Sequence, residues 1–156
     1  MRERYRVHTS GRPAAWGRVR QGPRNPREAR EAVRRVVSES TADNGWDEDA
    51  LSDALLVVSE LTTNAMLHGG GVTDFGVSVV GRDLYVSVSD GDPRLPVTSA
   101  PVDDSGRWRT GGRGWPIVRR LSHDVAVSRL PSGGKRITAV IPLRPVRGVP
   151  VGNGAS

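Results

Sequence analysis

The chain has no cysteine among its 156 residues, which excludes a disulfide framework, a thiolate nucleophile and cysteine-ligated zinc. It has no stretch of roughly 20 apolar residues, so a membrane-spanning helix is not expected. The arginine-rich opening "MRERYRVHTSGR" is not followed by an apolar run of signal-peptide length, and no internal repeat is present. These absences read together as a soluble cytoplasmic protein of about one domain.

Basic charge is present, but in one place. The formal net charge is +6, yet residues 1–35 hold eleven arginines against Glu3, Glu28 and Glu31, and the remaining 121 residues come to −2. Residues 1–24 alone carry seven arginines against Glu3. They form a basic arm, with a short alternating run near Ala14 to Arg20 that suggests a strand. Such an arm suits an acidic partner or a phosphate backbone, and its plainer reading is a solvated, unstructured tail; the core itself shows no charge pattern for reading nucleic acid.

A domain is expected over residues 25–143. In "RNPREAREAVRRVVSES", Asn25 can cap, Pro26 suits the first helical position and Glu28 the third. Ala29, Ala32, Val33, Val36 and Val37 then repeat at helical spacing. A second helix should begin after Asp47, with Glu48 and Asp49 in its first turn. Its core stripe is Leu51, Ala54, Leu55, Val58, Leu61 and Ala65. Two alternating runs, "DFGVSVV" and "DLYVSVSD", flank Gly81 and Arg82 and read as a hairpin. A second hairpin is built from "HDVAVSR" and "KRITAVI" around "LPSGG". Between the hairpins, Gly91 to Thr110 lacks periodicity, and a loop of that length in a compact domain is usually functional or mobile. "GGRGWPIVRRL" then opens a short helix. The order implies an α+β two-layer sandwich, with a mixed, mostly antiparallel sheet and helices on one face. Residues 144–156 read as a disordered tail.

Three groups of residues can carry chemistry. Glu60, Asn64 and His68 in "SELTTNAMLHGGG" lie one turn apart on the second helix, slanting from its open face toward the core stripe. Asp90 ends a strand, and Gly111, Gly112 and Gly114 precede a helix. Each has an ordinary explanation alone: a solvated helix face, an Asp turn, a flexible connection. Their combination suits one ligand. A carboxamide is a hard, neutral donor for Mg²⁺, which takes its remaining ligands from phosphates and water. A carboxylate one turn earlier can serve as a general base at a γ-phosphate. An ionised Asp accepts from adenine's exocyclic amine and repels guanine's carbonyl, and glycines at a helix start bare backbone N–H groups for phosphate oxygens.

On these residues the chain resembles the histidine-kinase-like ATPase superfamily. "ELTTNAMLHG" looks like its N-box, "DGDPRLP" like its first glycine box in an actinobacterial variant, and "GGRGWPIV" like its second. The short length, with no phosphoacceptor-histidine domain, is similar to the anti-sigma-factor serine/threonine kinases. The resemblance implies a Bergerat-type ATP-binding fold with ATP and Mg²⁺ as cofactors. It makes Glu60 the catalytic carboxylate, Asn64 the Mg²⁺ ligand and Asp90 the adenine reader. Gly112, Arg113 and Gly114 would form the phosphate loop, His68 would contact phosphate or line the wall, and residues 91–110 would be the lid. Expected partners are a sigma factor and its antagonist protein, with a homodimer as one assembly because dimers are usual in such kinases. The alternative is a catalytically silent ATP-binding module that controls a protein partner. Two departures stand out: Pro93 and Arg94 replace the second glycine of the first box, and Trp115 stands where leucine is usual.

Overall fold

A computed structural model of the protein describes residues 6–7, 22–40, 45–94 and 114–146. The strand expected near Ala14 to Arg20, most of the 91–110 loop, Gly112, Arg113 and most of the C-terminal tail lie outside these residues. Helices α1 (Pro26–Glu39) and α2 (Glu48–His68) come first, followed by the hairpin of β2 (Val72–Val80) and β3 (Asp83–Asp90). Helix α3 (Gly114–Leu121) and the hairpin of β4 (Asp124–Arg129) and β5 (Lys135–Pro142) complete the domain. A two-residue strand not foreseen from sequence, β1 (Arg6–Val7), pairs in parallel with β4. The sheet order is β1-β4-β5-β3-β2, antiparallel apart from that edge, so the α+β sandwich is observed.

Local chemistry sets the helix starts. Asn25 Oδ1 accepts from the Glu28 amide at 2.9 Å. Glu28 returns the contact one residue further out, its carboxylate accepting from the Arg24 amide at 2.7 Å. Asp47 caps α2 by accepting from the Asp49 amide. In the first hairpin Gly81 takes a positive φ of 61°, which a glycine adopts at no steric cost.

The helices cover the sheet face that carries Phe75, Val77, Leu84, Val86, Val88, Ile137, Ala139 and Ile141, all buried. Helix α2 lies centrally, touching α1, α3 and the sheet. Its buried set is therefore wider than the expected stripe, since Ala50, Val57 and Thr62 are also enclosed while Leu51 and Leu55 are only partly covered. Arg30 ties α1 to α2 by donating to Ser59 Oγ at 3.0 Å. Among the described residues, no helix is long and apolar enough to cross a membrane.

Candidate functional site

The C-terminal half of α2 carries the row of Glu60, Asn64 and His68. Glu60 and Asn64 are half-buried and His68 is exposed. Among the described residues none of the three side chains has a hydrogen-bond partner, although one side of α2 is packed in the core. Their polar atoms are thus left available along one side of the helix.

The helix ends on glycines for two reasons, a close neighbour at Gly69 and a left-handed backbone at Gly70 and Gly71. The Gly69 and Gly71 amides both donate to the Ala65 carbonyl at 2.9 Å, closing the last turn, and Gly70 and Gly71 take positive φ values of 76° and 111°. Gly69 lies against Asp90: a Cβ there would overlap the Asp90 side chain. The Gly91 amide donates to the Gly69 carbonyl at 3.1 Å, stitching the helix end to the end of β3. A shallow open groove of about 570 Å³ lies over this junction, lined by His68, Gly69, Gly70, Gly91, Asp92, Pro93 and Arg94. The structure therefore brings His68, at the end of the helical row, to the start of the loop that follows β3.

Helix α3 closes the other side of the row. A Cβ on Gly114 would overlap Glu60 Oε2 and sit 3.2 Å from Glu60 Cδ. The absence of a side chain at the first residue of α3 is what lets that helix start directly against the Glu60 carboxylate. Trp115 is partly buried against the core, so this departure is accounted for by packing.

Asp90 is at the same junction, but enclosed. It is 3% exposed, and so is Lys135, the first residue of β5 and its direct cross-strand partner. The Lys135 ammonium lies 3.0 Å from Asp90 Oδ1 and 2.9 Å from Oδ2, and it donates to the Asp92 carbonyl at 3.0 Å. Asp90 Oδ1 also accepts from the Asp92 amide at 2.9 Å, the Asp turn read from the sequence. Lys135 did not figure in the sequence reading. One signal was present: it is the only lysine in the chain, against 22 arginines.

Just beyond, Arg94 folds back onto Asp92, with Nη2 2.6 Å from Oδ2 and Nε donating to both carboxylate oxygens. The arginine's side-chain and backbone hydrogen bonds hold the Asp92 carboxyl at about 2, below its ordinary 3.8. The same pairing raises the Arg94 guanidinium. Among the described residues no cluster of three or more His, Cys, Asp or Glu side chains can hold a metal ion. An Mg²⁺ ion here would have to be held as Asn64 could hold it, through one protein donor with phosphate oxygens and water, and the unpartnered carboxamide is compatible with that.

The family model of the histidine kinase-like ATPase domain matches residues 22–141. The chain belongs to this family, which makes its domain an ATP-binding one of the histidine-kinase-like superfamily. No curated protein matches the chain.

Proposed function

We propose that the protein is an ATP-dependent serine/threonine kinase of the anti-sigma-factor type, acting on a small antagonist protein and thereby on the release of a sigma factor. The observation that carries this reading is Glu60: a half-buried carboxylate with no hydrogen-bond partner among the described residues, one turn from Asn64 and seated against the first residue of α3. A solvated helix residue would have no reason to sit where a neighbouring helix must begin with glycine to admit it.

In this reading Asn64 would hold Mg²⁺ together with the nucleotide phosphates, and the ion, when bound, would supply charge neutralisation at the phosphoryl group. The N-terminus of α3 presents backbone N–H groups toward the phosphates. Glu60 accepts the proton of an incoming serine or threonine hydroxyl as its oxygen bonds to the γ-phosphorus; the bond from that phosphorus to the bridging oxygen breaks, and ADP leaves.

Single-turnover phosphorylation by wild type and Glu60→Gln, with labelled ATP and antagonist proteins from the same genome, tests the assignment. A positioned base contributes about 10²–10⁴ in rate, so the variant should transfer at least about a hundredfold more slowly with near-normal ATP affinity. Equal rates would remove Glu60 from the mechanism. ATP binding with no transfer by the wild type would leave a regulatory module that uses nucleotide to set partner affinity.

A further inference from the structure

Lys135 occupies a position that arginine, used for every other basic residue of the chain, would not fill in the same way. An ammonium is compact, with three donors, whereas a guanidinium is a planar fork with five. Here there are three acceptors for three donors: Asp90 Oδ1, Asp90 Oδ2 and the Asp92 carbonyl, all within 3.0 Å. No N–H of Lys135 is left over.

The acceptor side can be counted in the same way. A carboxylate offers about four lone-pair positions. Oδ1 spends two, on the Asp92 amide and on Lys135. Oδ2 spends one on Lys135. One acceptor position remains, on Oδ2, with no donor beside it among the described residues. Asp90 adjoins Gly69 and Gly91, two of the residues lining the groove that also contains His68 and Arg94, and neither glycine interposes a side chain.

We propose that Lys135 is a specificity-determining positioning residue: it takes two of Asp90's acceptor positions beside the one the Asp92 amide takes, and spends its third donor on the Asp92 carbonyl, which leaves Asp90 one acceptor position and the lysine no donor, so that the site accepts a 6-aminopurine and rejects a 6-oxopurine. This rests on the nucleotide-binding reading and deepens it. Without the lysine, Asp90 would lose its fixed orientation and its countercharge. With arginine in its place, five N–H groups would face those three acceptors and the spare position on Oδ2, and a 6-oxo group would satisfy the one left over. The lysine also pins the Asp92 carbonyl, so it fixes the first residues of the groove wall.

The test is competition of ATP, GTP and inosine triphosphate against a fluorescent ATP analogue, on the full-length wild type, Lys135→Met and Lys135→Arg, each checked for folding by circular dichroism. The wild type should prefer ATP to inosine triphosphate by about tenfold or more. That ratio should collapse in Lys135→Met and tilt toward the 6-oxopurines in Lys135→Arg. A purely structural lysine would weaken all three nucleotides equally, so folded variants with an unchanged ratio overturn the inference while leaving ATP binding intact. If Lys135→Met does not fold, the wild type still decides: with ¹⁵N-lysine it carries a single side-chain ammonium resonance, which ATP should shift more than inosine triphosphate. A resonance that saturating ATP leaves unmoved overturns the proposal, and a wild type that binds no nucleotide overturns this inference and the nucleotide reading together.

Discussion

Two acid–base pairs lie two residues apart in this molecule and behave as opposites. Asp90 and Lys135 meet at 2.9 Å with both side chains 3% exposed. Asp92 and Arg94 meet at the shorter distance of 2.6 Å, but the arginine is 82% exposed. Distance does not rank them. In water a close ion pair gains little, because solvent screens it and two flexible side chains must be held. In the interior neither member can be solvated, so each depends on the other and on the hydrogen bonds around it. The exposed pair shapes the rim of a groove, while the buried one is part of the junction joining α2, β3 and β5.

The largest expected effect comes from breaking the buried pair. Lys135→Met should leave the Asp90 carboxylate enclosed without a countercharge and cost about 3–5 kcal/mol in urea unfolding. Replacing both partners, as in Asp90→Leu with Lys135→Met, should recover much of that loss, because nothing charged is then left behind. A single variant as stable as the double one would mean the pair is not desolvated as described.

The exposed pair should respond through titration rather than stability. Arg94→Ala removes the hydrogen bonds that hold the Asp92 carboxyl at about 2, so it should return toward 3.8, as read by carboxyl-carbon NMR. A lowered folded-state value stabilises above the unfolded value near 3.8 and is lost as pH falls through about 2. That contribution is fully present at neutral pH, but solvent screens an exposed pair and keeps it small, so thermal stability there should hardly change. A carboxyl still titrating at about 2 in the variant would place the cause elsewhere.

The same contrast explains what could be read from the sequence. Asn25 and Asp47 as caps, Gly81 in a hairpin turn and the Asp turn at Asp90 all use partners within a few residues, and each is where the pattern put it. The row of Glu60, Asn64 and His68 was legible because one turn of helix is four residues. Ala50 and Val57 were missed as core because period alone does not show that α2 is covered by α1, α3 and the sheet. Lys135 was missed for a sharper reason. It lies 45 residues from Asp90, and only the registers of β3 with β5 bring them opposite one another. β1 is likewise set by pairing with β4, over 100 residues away, and by nothing local.

The central claim is that the polar row of α2 holds a magnesium nucleotide, and titration of ATP into wild type and Asn64→Ala, each with and without Mg²⁺, tests it most directly. Loss of one ligand to a charged group should cost roughly 1.5–3 kcal/mol, about ten- to 150-fold in affinity, and only when Mg²⁺ is present. An Asn64→Ala protein that binds ATP with undiminished, Mg²⁺-dependent affinity would contradict the account.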